Sequence, residues 1–169
     1  MIPRPQAGEY APFYETYTSK VPDGDVVEYL VEQRERFAAE LRGFAETETE
    51  RGYAPGKWTL KEALGHVNDT ERIFAYRCLR IARGDEKAME GFDQDPYVAE
   101  AKANGYRWTE LIAEFEAVRT ATIAMVRMLR PEWWERVGTA SGNPVSVRAM
   151  VYILAGHVEH HRRLLEEYR

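Results

Sequence analysis

Two histidines four residues apart, His157 and His161 in GHVEHHRR, and a third, His66 in LGHVNDTER, are the residues of this chain whose type and spacing suit chemistry beyond folding. On a helix, an i, i+4 pair stacks two imidazoles on one face, and a third from a neighbouring helix closes a three-nitrogen site for a transition metal. At about 100° per residue, His157 and His161 fall inside the apolar arc of the last helix, between Met150 and Leu154, whereas His160 lies on its shoulder. A lone inward histidine is more often a satisfied core residue than a ligand. A pair is different, because two adjacent imidazoles each need a partner and a shared cation supplies it. His66 sits well off the centre of its own helix's apolar stripe, which suits the mouth of a bundle better than its deep core. Glu62, Asp69 and Thr70 lie one turn from it and could accept the proton of its non-ligating nitrogen, the two carboxylates also serving in proton transfer. Their ordinary alternative is solvated helix surface or, for Glu62, a helix cap. Arg162 and Arg163 could hold an anionic substrate, or stand as exposed charges against the helix dipole.

The elements that must position these groups can be read from apolar spacing. A leader over residues 1–24, punctuated by Pro3, Pro5, Pro12 and Pro22, is expected to be extended. The first helix follows Asp25, with Val27, Leu30, Phe37, Leu41 and Phe44 on one face and Arg34 an exception in it. Thr59 and Glu62 form a T-x-x-E capping box opening the second helix, whose stripe runs Leu60, Leu64, Val67, Phe74 and Cys78, with Glu71 a polar exception and Arg83-Gly84 the stop. From Gly84 to Arg107 a long crossover of partial helicity surrounds Pro96. The third helix keeps Trp108, Leu111, Ile112, Phe115, Val118, Thr122, Met125 and Leu129 in register until Pro131. A short hairpin turning at Ser141, Gly142 and Asn143 then leads to the fourth helix, capped by Ser146. The sum is an all-α chain: a four-helix bundle with a long crossover between helices two and three and a hairpin before helix four. The interior of such a bundle is where metal sites are built.

Composition narrows the class. The 169 residues, 44% of them hydrophobic, suffice for one sizeable core, and no break in composition divides it, so a single domain over residues 1–169 is expected. Acidic and basic residues are interspersed around a formal charge of −5 with no basic block, which argues against nucleic acid as a partner. There is no membrane span and no signal-peptide h-region, so a soluble cytoplasmic protein is expected. The single cysteine, Cys78, excludes a disulfide framework and a thiolate-rich metal cluster. It lies twelve positions from His66 on the same helix, too far to share one ion, and reads as small apolar filler.

Three segments carry a family likeness: YAPGKWTLKEALGHVNDTERIFAYRCLRIARGD, GFDQDPYV and AGHVEHHRRLLEEYR. Their W-[ST]-x-x-E-x-x-x-H pattern combined with the terminal H-x-x-x-H resembles the DinB (damage-inducible, YfiT-like) superfamily. The resemblance implies a four-helix bundle, often dimeric, holding a divalent transition metal such as zinc or nickel through His66, His157 and His161. It also implies several candidate chemistries on a small-molecule substrate. One is transfer or isomerisation using a low-molecular-weight thiol such as bacillithiol, mycothiol or glutathione. Another is hydrolysis by a metal-activated water. A third possibility is a non-enzymatic stress-related binding or assembly module with a structural metal. Three neutral imidazoles leave the ion its full charge and an open position, the pattern of a catalytic site. In the thiol reading the dication favours the thiolate, which attacks an electrophilic carbon. In the hydrolytic reading Glu62 or Asp69 shuttles the proton. A homodimer is expected through the third helix, whose second stripe, Ala113, Ala117, Ala121 and Ala124, would admit a close helical neighbour.

Overall fold

The computed structural model describes residues 1–169, and its first departure from expectation lies in the leader. Pro12–Tyr14 form a 3-10 turn that runs into a short helix, α1 (Glu15–Thr18), in place of an extended strap. Pro12 presets the turn's first φ, and Tyr10, Tyr14 and Tyr17, at i, i+4 and i+7, give the segment one aromatic face to lay on the core. Charge fastens it there. Glu9 accepts hydrogen bonds from Arg148 Nε at 2.8 Å and Ser146 Oγ at 2.6 Å, while Arg4 donates to the carbonyls of Thr18 and Val21 at 3.1 and 2.7 Å. The seat is Gly156, where any Cβ would lie 2.1 Å from the Tyr17 carbonyl oxygen, so the close approach of leader and last helix requires glycine.

Helix α2 (Val26–Leu41) starts at Asp25, whose carboxylate accepts from Val27 N at 2.8 Å. Helix α3 (Leu60–Ala82) opens with the Thr59–Glu62 capping box and stops at Gly84, whose φ of +78° lets the chain turn away. Within the crossover, α4 (Gln94–Ala101) packs on α3. Helix α5 (Trp108–Arg127) is capped from a distance by Glu46, which accepts from Trp108 N at 3.0 and 3.1 Å. Strands β1 (Val137–Ala140) and β2 (Asn143–Ser146) pair antiparallel. Their turn is Ser141-Gly142, both at positive φ; Asn143 pairs with Ala140 and belongs to β2. Ser146 accepts from Ala149 N at 3.1 Å to cap α6 (Val147–Leu164).

In cross-section α2 and α3 each pack against both α5 and α6, which makes the four-helix bundle and sets α3 beside α6. The apolar core falls into two bodies. One gathers Leu30, Phe74, Ile123 and Leu154; the other gathers Phe37, Val67, Phe115 and Val158. Between them each helix contributes a buried polar side chain: Gln33, Glu71, Arg119 and His157. Cys78 is fully buried at the first of these bodies, and burial pushes its thiol up to about 12, consistent with filler rather than a nucleophile. No helix is long and apolar enough to cross a membrane.

Candidate metal centre

Packing of α3 on α6 brings together the three histidines singled out by spacing. One ligand-capable nitrogen from each of His66, His157 and His161 lies within 4.8 Å of the others, and their ring centroids are 4.7 to 5.1 Å apart. His66 and His157 are buried and His161 half-buried. His66 is deeper than its wheel position implied, because the tilted ring of Trp58 packs on it at 5.0 Å and Tyr17, from the leader, closes over His157 at 5.3 Å.

Electrostatics favour neutral rings. Burial holds His66 down at about 4, with His160 adding to the shift, and takes His157 and His161 well below the usual histidine range, with His66 and His160 adding to both. Unprotonated imidazole is the form that ligation requires. The Nε2 atoms of His66 and His157 are 3.1 Å apart. One proton could bridge those two, but it cannot also serve the third nitrogen. A tetrahedral ion about 2.0–2.1 Å from each ligand separates nitrogens by roughly 3.3 Å, which the 3.1 Å between His66 and His157 approaches, the third nitrogen lying within 4.8 Å of both. Thr70 Oγ1 lies 3.3 Å from His66 Nδ1, which directs Nε2 to the shared point. The residues present therefore fit a divalent transition metal.

The carboxylates expected beside them lie elsewhere. Glu62 accepts from Thr59 N at 2.8 Å and from Asn104 Nδ2 at 3.1 Å, so its helix-capping role claims both oxygens. Asp69 lines a different cavity with Gly65, Tyr106, Glu110 and Glu114, and faces Arg72 at 3.8 Å. Arg162 and Arg163 are ion-paired with Glu159 at 3.0 and 3.2 Å and line no cavity at the triad.

Access to the triad runs through a cavity of about 340 Å³ walled by Tyr17, Tyr53, Trp58 and Tyr168, with Lys57, Asp95 and the half-buried His160 among its polar groups. The sequence pattern did not single out Tyr17, Tyr168 or Asp95. The tyrosines of the leader carried a helical period, and Tyr168 and Asp95 stand in segments that carry the family likeness, but nothing local aimed them at the histidines. A second, smaller cavity meets the same histidines from the side of Phe74 and Arg77.

A model of the DinB superfamily matches residues 24–165. No functionally curated protein matches the chain in sequence. Among solved structures, YfiT from Bacillus subtilis, described as a probable metal-dependent hydrolase with an unusual four-helix bundle topology, superposes with a TM-score of 0.77 at 13% identity, covering 88% of this chain and 90% of that one. A mycothiol-dependent maleylpyruvate isomerase superposes with a TM-score of 0.70 at 15% identity over 86% of this chain but 61% of the other. At such identities the likeness is one of fold.

Proposed function

The chain belongs to the DinB superfamily, and we propose that within it this protein is a metal-dependent transferase acting with a low-molecular-weight thiol of the bacillithiol, mycothiol or glutathione type. His66, His157 and His161 would hold one divalent ion, zinc or nickel. Such an ion supplies a fixed positive charge that favours the thiolate over the thiol. The observation that carries the reading is what surrounds the imidazoles: an open aromatic cavity on whose wall Asp95 is the one carboxylate, with Glu62 held in its helix cap and Asp69 in another cavity. Hydrolysis must still return a proton to the leaving group, which calls for an acid close by, whereas a thiol with pKa near ~8.5 needs little beyond the local charge. The chain's part is then to bind and orient. Tyr53, Trp58 and Tyr168 offer flat apolar walls that exclude water from the sulfur and its electrophile. Thr70, 3.3 Å from His66 Nδ1, orients the ring.

Hydrolysis is the second reading, and Asp95 on the cavity wall is the carboxylate that favours it. Metal-loaded protein should consume one of the three thiols in the presence of a generic alkylating electrophile, and metal-free protein should not. Ester or amide cleavage without thiol consumption, lost in Asp95→Asn, would replace the first reading with the second. For assembly we propose a homodimer through the exposed Ala113, Ala117, Ala121 and Ala124 of α5. Light scattering should return about twice the 19.5 kDa chain mass and Ala117→Glu should lower it. A wild-type monomer would remove the dimer.

A further inference from the structure

Three arginines are buried in this protein, and two of them have carboxylate partners: Arg119 has Glu71 and Arg148 has Glu9. The third, Arg77, is 3% exposed and pairs with no carboxylate. Its hydrogen bonds both use Nη2, to the Glu90 carbonyl at 2.7 Å and the Ser141 hydroxyl at 3.2 Å. Phe74 and Phe92 flank the guanidinium at 5.9 Å each. A buried cation left with neutral partners is costly, and such a group is ordinarily compensated by an anion.

The space for that anion is present. Arg77 lines a cavity of about 180 Å³ whose wall includes His66, His157 and Thr70 and contains no aspartate or glutamate. Tyr17, His66 and Gln94 belong to this cavity and to the larger aromatic one, so both open on the triad. Arg77 follows His66 by eleven residues, three turns along the same face of α3. Side chains lean toward a helix N-terminus, so the guanidinium reaches back to a span on the order of 10 Å from the imidazoles.

We infer that this cavity is the receptor for a carboxylate on the substrate, with Arg77 as its specificity-determining residue and the reacting end of the same molecule at the three histidines. The inference rests on the metal-dependent reading of that site. A carboxylate fits better than a phosphate dianion because one guanidinium neutralises one negative charge and its planar fork matches two coplanar oxygens. Phe74 and Phe92 hold the fork in place before the ligand arrives, which lowers the ordering cost of binding.

The test uses cobalt-loaded protein and two probe series, ω-mercaptocarboxylic acids of increasing chain length and the ω-mercaptoalcohols of matching length, with binding read from thiolate-to-cobalt absorption. At the best length the acid should bind about tenfold more tightly than the alcohol, and Arg77→Met should erase that preference while leaving alcohol affinity unchanged. Were Arg77 only a brace between Glu90 and the hairpin, the variant would melt earlier yet keep the preference, overturning the inference. Equal wild-type affinities for acid and alcohol at every length would overturn it too. If Arg77→Met does not fold, the wild-type comparison together with Arg77→Lys decides, the lysine retaining part of the preference. Inorganic phosphate displacing the acid at lower concentration than acetate does would overturn the carboxylate assignment. Failure of the metal reading shows separately, as no thiolate absorption with either series. An NMR titration of the metal-free protein with acetate, against Arg77→Met, then judges the receptor by itself.

Discussion

Arg119 and His157 share one polar cross-section of the bundle, between the same two apolar bodies, yet their surroundings are opposite. Arg119 Nη1 donates to Gln33 Oε1 at 2.8 Å, Nη2 to Glu71 Oε2 at 2.9 Å, and Nε lies 2.9 Å from Glu71 Oε1. Gln33 passes the network on to the Ala155 carbonyl at 2.9 Å, and Arg119 reaches the Leu154 carbonyl at 3.3 Å, both on α6 less than one turn before His157. Charge there is balanced within the protein. At the histidines, nitrogens converge on one another and the single hydrogen bond to another residue type is that from Thr70. A buried polar cluster whose charge is balanced within the chain serves the fold. One that lacks a partner is waiting for something the chain does not contain.

The sharpest way to break this contrast is to remove one member from each side. Glu71→Ala strands a fully buried guanidinium and should cost about 3–5 kcal/mol of unfolding free energy. The double change Glu71→Leu with Arg119→Met, which removes both charges and keeps volume, should recover most of that loss. His157→Leu in metal-free protein should cost little or stabilise, because it replaces a buried imidazole by an apolar side chain of similar size. Urea denaturation measures all three. A His157→Leu loss as large as that of Glu71→Ala would make the histidines part of the scaffold and end the distinction.

Restoring the missing partner is the converse experiment. Saturating zinc or nickel, about a thousandfold above its dissociation constant, should stabilise the wild type by about 4 kcal/mol, with one ion per chain by elemental analysis. In His161→Ala both the gain and the bound ion should disappear. Full metal content in that variant would place the ion elsewhere.

The sequence disclosed these two regions unequally, for a physical reason. His157 and His161 were legible because an i, i+4 pair on an apolar arc is a local pattern, and the order of helices along the chain followed from caps, stops and apolar period. The Arg119 cluster showed only as anomalies. Glu71 broke the stripe of its helix, but nothing local names its partner 48 residues away, and Val118, half-buried, was read as core while the neighbouring Arg119 is fully buried. On α2 the polar exception fell on Arg34, which reaches outward to Thr120, when the buried polar residue is Gln33. His66 looked peripheral because the wheel knows only its own helix. Tyr17, from the leader, and Trp58, just ahead of the cap of α3, bury the centre. Tertiary contacts across long separations decide such cases, and an isolated helical pattern carries none of them.

Acid should separate the regions next. Burial, the largest cause, keeps His66 neutral down to about 4, and His157 and His161 also stay neutral well below the usual range. Their unfolded counterparts take up protons near ~6.5. Between those values the unfolded chain binds more protons, so stability of the metal-free protein falls as pH drops from 6.5 toward about 4, by roughly 3 kcal/mol for His66 alone. His66→Leu should flatten that share of the slope. A distinct loss follows at lower pH. The Arg148 hydrogen bond holds Glu9 down to about 2 from 4.5, so its contribution is complete above 4.5 and vanishes toward about 2, where the leader should detach. A stability profile level from 7 to 5 would contradict the picture of three buried, neutral imidazoles.

The smallest effect probes the one link the centre does have. Thr70 stands a turn from His66 and one residue before Glu71, so neighbouring positions of α3 serve the two regions separately. Thr70→Val keeps the shape, removes the hydroxyl, and leaves the Arg119 network untouched. If that hydroxyl fixes the tautomer of His66, metal affinity should fall about tenfold, the low end for losing a hydrogen bond behind a ligating histidine. In metal-free protein the change should be close to neutral, since one neutral hydrogen bond is exchanged for an added methyl. Competition against a chelating dye measures the first quantity and urea the second. Unchanged affinity would mean that Trp58, packed against His66 at 5.0 Å, sets the ring by packing alone. A large loss of stability would instead show that the hydroxyl supports the scaffold, and the line between the two clusters would then run through His66 itself.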